Sequence, residues 1–183
     1  MLSRCHVACA LSVFSMALLF SSPAAAQDAP VGEFSVGYNL LRFEENTVPA
    51  GWYADVAANV SNALAVVGQV TGNYESEEGF GVEVDASYYT FMAGIRFSAR
   101  TNPNFVPFGQ VLAGGARSKF STEAGGIDLS ESNTDGALQI GGGVNLFGGG
   151  SIGARVGADY IRVFTEGEGT NAFRFAAGVV FGF

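Results

Sequence analysis

The stretch AFRFAAGVVFGF, from Ala172 to Phe183, decides the fold. Phe173, Phe175, Ala177, Val179, Phe181 and Phe183 fall at alternate positions, with Ala172, Arg174, Ala176, Gly178, Val180 and Gly182 between them. A two-residue period puts successive side chains on opposite faces of a β-strand. One face is bulky and apolar, and the other is small or charged. A soluble sheet would bury the bulky face and show water a surface rich in Lys, Glu and Thr. The second face here is not such a surface. The pattern fits the opposite arrangement, in which apolar side chains meet lipid and small or polar ones fill a narrow lumen, as in a transmembrane β-barrel.

The same alternation recurs toward the N-terminus. Ile152, Ala154, Val156, Ala158 and Tyr160 alternate with Ser151, Gly153, Arg155, Gly157 and Asp159. Leu138, Ile140, Val144 and Leu146 alternate with Gln139, Gly141, Gly143 and Asn145, and Tyr89, Phe91, Ala93, Ile95 and Phe97 oppose Tyr88, Thr90, Met92, Gly94 and Arg96. Trp52, Ala54, Val56, Ala58 and Val60 oppose Tyr53, Asp55, Ala57 and Asn59. Segments around 33–42 and 63–74 follow with more exceptions. The segment 105–117 is ambiguous, because Pro107 interrupts the strand signal and either face reads as apolar. Eight strands result, and the expected fold class is all-β, an eight-stranded antiparallel up-and-down transmembrane barrel. Eight strands leave an interior just wide enough for side chains.

Connection lengths support this reading, since such barrels have short turns on the periplasmic side and longer loops outside. The odd connections cover about 43–50, 75–85, 118–135 and 165–170. The even ones are Ser61 with Asn62, Ala99 to Asn104, and Phe147 to Gly150. Thirteen of the 17 acidic residues fall in the odd connections, which places them on one side of the membrane. Trp52, Tyr74, Tyr89 and Tyr160 then form an outer aromatic girdle, and Phe34, Phe97, Phe105, Phe181 and Phe183 an inner one.

The chain of 183 residues is 48% hydrophobic and 14% charged, too apolar for intrinsic disorder. Its net charge of -8 provides no footprint for nucleic acid. Residues 1–26 carry Arg4, an apolar run from Val7 to Phe20, and a small-residue end at Ala24, Ala25 and Ala26, the order of a cleaved secretory signal. The apolar run is too short to span a bilayer as a helix. The domain plan is therefore a signal peptide over 1–26 and a barrel over 27–183. Cys5, Cys9 and His6 all lie in the signal segment, so the remaining chain has neither Cys nor His. Disulfides, Ser-His-Asp and Cys-His nucleophiles, and zinc sites built on those ligands are excluded from it. We expect no enzyme and no cofactor.

Six charges fall on the inner face: Glu33, Asp55, Arg96, Arg155, Asp159 and Arg174, three of each sign. An unpaired charge in a closed lumen is costly, so equal numbers point to pairing that stabilises a plug. If the last two strands meet across 165–170, Asp159 and Arg174 are neighbours. Gly148, Gly150 and Gly153 spell G-x-G-x-x-G, but a strand follows where a dinucleotide site needs a helix, so a tight turn is expected. Residues 131–136 loosely suggest a calcium loop, but the twelfth position counted from Glu131 is Gly142 rather than Glu. A solvated acidic loop fits better, with weak Ca²⁺ or Mg²⁺ binding by its carboxylates as the alternative.

The terminal pattern Phe175-x-Ala177-x-Val179-x-Phe181-x-Phe183 resembles the barrel-assembly signal of the small outer-membrane β-barrel proteins of Gram-negative bacteria, similar in plan to OmpA and OmpX. GWYADVAAN (Gly51–Asn59), VPFGQVLAGGAR (Val106–Arg117) and GARVGADY (Gly153–Tyr160) are similar to stretches in that family. The resemblance covers essentially the whole chain after residue 26. It implies an outer-membrane location, contact with outer-membrane lipids including lipopolysaccharide, and insertion by the β-barrel assembly machinery, with Phe175, Val179, Phe181 and Phe183 as the signal. It implies no single activity. The function expected is structural or surface-interacting, in adhesion or envelope integrity, with an extracellular ligand that the sequence does not name. Two alternatives stay open: a soluble periplasmic lipocalin-like barrel that binds a small apolar ligand, and a narrow outer-membrane channel.

Overall fold

The computed structural model describes residues 30–43, 47–79, 82–124, 127–165 and 169–183. The expected signal segment lies outside them, as do Glu44, Glu45, Glu166 and Glu168. The strands are β1 (Gly32–Phe43), β2 (Thr47–Val48), β3 (Ala50–Asn59), β4 (Leu64–Gly79), β5 (Val82–Ser98), β6 (Phe105–Ala124), β7 (Ile127–Phe147), β8 (Ile152–Phe164) and β9 (Gly169–Gly182). Each long strand pairs antiparallel with its sequence neighbour, and β1 pairs with β9 to close the barrel.

The two-residue β2 is not a ninth wall strand. Tyr38 opposes Trp52, and Leu41 opposes Val48, so three steps along β1 face four on the other side. The extra residue is a bulge at Pro49 and Ala50, where proline has no N–H to give the ladder. β2 is thus the outer continuation of β3, and eight strands make the wall. Pro107, the other breaker, sits near the lower end of β6. Its carbonyl accepts from the Ala99 N–H just past the end of β5 at Ser98, so its missing donor falls where the neighbouring strand has stopped.

The register fixes the dimensions. Following Cα partners from Glu33 through Ala57, Val67, Gly94, Leu112, Gln139, Ile161 and Ala172 leads back to β1 at Phe43, ten residues above the start. A stagger of that size, at about 3.3 Å per residue and about 4.8 Å between strands, tilts the strands by roughly 40°. The backbone radius is then roughly 8 Å, which side chains can fill.

The wall faces as the alternation requires. Phe173, Phe175 and Phe181 are 54%, 46% and 37% exposed, while Arg174 beside them is 2% exposed. Outward apolar residues continue around the barrel through Phe34, Val56, Val66, Phe91, Val111, Ile140 and Val156. From Phe173 to Phe183 this band is about 25 Å tall at that tilt, the height of a bilayer's apolar zone. β6 also resolves: Phe105 and Val111 face out, and Val106, Gln110 and Leu112 face in.

Two expectations need correction. The connections 75–85 and 118–135 are mostly strand, since β4 and β5 pair up to Gly79 and Val82, and β6 and β7 up to Ala124 and Ile127. Residues 131–136 therefore lie in β7 rather than a loop. Beyond the lipid both faces of a hairpin can be polar, so the two-residue period disappears while the hydrogen-bond ladder continues. The second correction concerns the lumen, which is not small and polar throughout. In its outer part the faces reverse: Arg42, Arg117 and Arg162 point out, while Leu41, Ala116 and Ile161 point in.

Candidate functional site

The lower lumen is a network of charged and amide side chains brought together from all eight wall strands. Arg155, on β8, donates through Nη2 to Glu33 Oε2 (2.9 Å), through Nη1 to both Asp55 oxygens (2.8 Å each) and to Ser35 Oγ (2.9 Å), and through Nε to Asn145 Oδ1 (2.7 Å). Arg96, on β5, reaches the same Asp55 carboxylate, 3.2 Å from Oδ2, and donates to Gln110 Oε1 through Nε and Nη2. Gln110 Nε2 donates to Asp159 Oδ1 at 2.9 Å. Arg174 donates to Asp159 Oδ2 through Nη2 (2.5 Å) and Nε (3.1 Å), and to Gln69 Oε1 through Nη1. Gln139 Nε2 reaches the same Gln69 oxygen.

The inward period of each strand puts these groups at matching heights, and the ten-residue stagger brings distant strands to one level. All six charges selected from the sequence are buried here. Phe108 adds its ring beneath two cations, with the guanidinium carbons of Arg96 and Arg155 4.8 and 5.0 Å from its centroid. The space remaining among these side chains is about 10 Å³, no more than one water needs.

Sequence reasoning missed two kinds of member. Ser35, Gln69, Gln110 and Phe108 carry no net charge, and the last two lie on the strand whose face was ambiguous. Arg100 was placed in a turn, yet its guanidinium folds over the lower mouth, donating to Glu33 Oε1 (2.6 Å), Asn59 Oδ1 (3.1 Å) and the Asn62 carbonyl (3.0 Å). Only the nearness of 99–104 to the lumen entrance could have pointed to it. Gly148 and Gly150 of the glycine motif lie in the tight turn 148–151, where Gly149 has a φ of 92°, and Gly153 is already the second residue of β8.

Phe175, Val179, Phe181 and Phe183 all lie on the outward face of the closing strand. The Phe183 N–H donates to the Gly32 carbonyl and the Gly32 N–H to the Phe183 carbonyl, so the final residue takes part in the seam. On the outer girdle, Trp52 Nε1 donates to the Tyr74 hydroxyl, and Tyr74 meets Tyr89 edge to face at 5.9 Å. Phe34 stacks on Phe181 at 6.3 Å near the inner edge. Among the described residues no group of three or more His, Cys, Asp or Glu is placed to hold a metal.

Closed, staggered and apolar outside, this is the fold of the small eight-stranded barrels of the Gram-negative outer membrane. Ail, the attachment invasion locus protein of Yersinia pestis, has a similar solved structure at 20% identity, covering 84% of this chain and 100% of that one, with a TM-score of 0.57. Neisserial surface protein A is similar at 14% identity, covering 83% and 96%, with a TM-score of 0.62. The N-terminal barrel domain of Pseudomonas aeruginosa OprF is similar at 13% identity, covering 85% and 100%, with a TM-score of 0.51. No protein-family model and no curated protein sequence matches the chain.

Proposed function

We propose that this chain is exported through residues 1–26 and inserted into a Gram-negative outer membrane by the β-barrel assembly machinery. There it serves as a structural or surface-interaction barrel, without a catalytic step and without an open pore. The observation that carries the reading is a lower lumen closed by paired charges inside an unbroken apolar belt. The belt supports residence in lipid, and the closed network supports a lumen that does not conduct. The seam contacts of Phe183 support the terminal Phe175, Val179, Phe181 and Phe183 pattern as the signal read during closure.

Lipopolysaccharide fits as a lipid partner. Among the described residues, the cations that point outward from the wall are Arg42, Arg117, Lys119 and Arg162, and all lie at or beyond the outer edge of the belt. That is the level of lipid phosphates. The carboxylates concentrated farther out would repel a polyanion, so a surface partner with basic groups suits this chain better.

Reconstitution tests the reading directly. Washing membranes with carbonate should leave the protein in the pellet, and planar bilayers containing it should show no discrete current steps. Release by carbonate without detergent would favour the soluble lipocalin-like alternative, and stepwise conductance would favour the channel.

A further inference from the structure

Above the charge network the lumen changes character. Leu41, Met92, Leu112 and Ile161 are almost wholly buried and form an apolar floor across the barrel. Over that floor lies a cavity of about 330 Å³ walled by Phe43, Val48, Tyr88, Ala116, Val163 and Ala172. Glu75, Ser118, Asp135, Thr165 and Thr170 stand at its polar edge, with Arg117 beside them. The volume falls within the range of small-molecule sites, and the combination of apolar wall and sparse polar rim is typical of them. At about 30 Å³ per water-sized group it holds roughly ten such groups.

The reversal of faces makes this cavity more than a packing defect. Below the rim, lipid explains every outward apolar residue. Above it, the wall turns Arg42, Arg117 and Arg162 outward and aims aliphatic and aromatic side chains into the space they enclose. Phe43 and Tyr88 meet each other at 5.6 Å and pack with Ala116 and Val163 on the floor, yet together these side chains leave the void open between them. An apolar surface facing water inside a mouth gains stability when an apolar guest displaces that water.

We infer that the outer mouth of the barrel is a blind binding site for one medium-length aliphatic chain. The chain enters from the extracellular side, and any polar end remains at the Thr165 and Thr170 edge. The apolar floor and the charge network beneath it stop the guest from continuing through the lumen, so the site captures and does not conduct.

The test uses the whole barrel in phosphatidylcholine nanodiscs, titrated with dansyl-undecanoic acid against empty nanodiscs of the same composition. Saturable binding above the empty-disc background, one site per barrel and displaced by decanol, is expected. Ala116→Trp, which fills the cavity, should weaken it at least tenfold, whereas Val66→Trp on the lipid face should leave it unchanged. If Ala116→Trp does not fold, Thr170→Trp at the rim should show the same loss. A titration indistinguishable from empty nanodiscs, or equal binding by a folded cavity-filled variant, overturns the inference.

Discussion

Asp159 and Arg174 are direct Cα partners across β8 and β9, and the Arg174 guanidinium donates to Asp159 Oδ2 through two of its nitrogens at 2.5 and 3.1 Å. Both side chains are buried. The other Asp159 oxygen accepts from Gln110 on β6, and Arg174 continues to Gln69 on β4. A single cross-strand pair thus ties the closing hairpin to walls on the far side of the lumen.

Removing one partner of such a pair leaves an uncompensated buried charge, at a cost of about 3–5 kcal/mol. Asp159→Ala should lower the denaturant midpoint of the refolded barrel accordingly. Asp159→Ala combined with Arg174→Met should cost less than the two single changes added together, because no lone charge remains. An unchanged midpoint for Asp159→Ala would count against the pairing as a source of stability.

Arg155 makes a sharper demand on geometry. Its planar guanidinium serves Glu33 and Asp55 at once while Nε serves Asn145. A lysine keeps the charge and loses the fork, so it cannot reach both carboxylates and the amide together. Arg155→Lys should destabilise the barrel by about 2 kcal/mol or more, close to the effect of Arg155→Ala. Urea unfolding that ranks Arg155→Lys beside the parent would show that charge alone suffices.

The barrel wall was legible because lipid imposes one rule on every outward position, and Phe173 to Phe183 obey it without exception. The charges of the lower lumen were legible for a related reason: an ionised group on a narrow inner face needs a partner. What escaped was set by relations between strands. Phe108 and Gln110 could not be assigned while Pro107 obscured the face of β6. Arg100 enters the network only because the turn 99–104 folds under the mouth. The apolar outer lumen was hidden because Leu41, Arg42 and Phe43, or Ile161, Arg162 and Val163, read against the expected orientation only once the height of the belt is known. The long hairpins gave no signal, since the ladder that holds them is backbone to backbone.

Glycine on the inner face answers to close approach between strands. A Cβ at Gly143 would fall onto the Val156 carbonyl oxygen and lie 2.9 Å from the Phe108 ring, whereas a Cβ at Gly136 would meet nothing within 4 Å. Gly143→Ala should therefore lose at least the ~1–3 kcal/mol of an overpacked core, and Gly136→Ala should be neutral or slightly stabilising. Heat-modifiable gel migration and the denaturant midpoint report both. Equal behaviour of the two variants would mean that strand curvature, and not contact, selects glycine here.

Depth in the bilayer supplies the last prediction, and β3 allows it to be tested with one residue type. Val56 lies midway along the outward face of β3, with Trp52 toward one end and Val60 just past the other. An arginine facing lipid costs about 2–4 kcal/mol at the midplane and about 0–1 near an interface. Val56→Arg should thus cost several times more than Val60→Arg when the barrel is unfolded from lipid vesicles, and the difference should shrink in detergent micelles, whose apolar zone deforms around the charge. A soluble barrel with a wet exterior would tolerate both arginines equally. A flat profile in vesicles would remove the belt, and with it the membrane reading that rests on the outward phenylalanines.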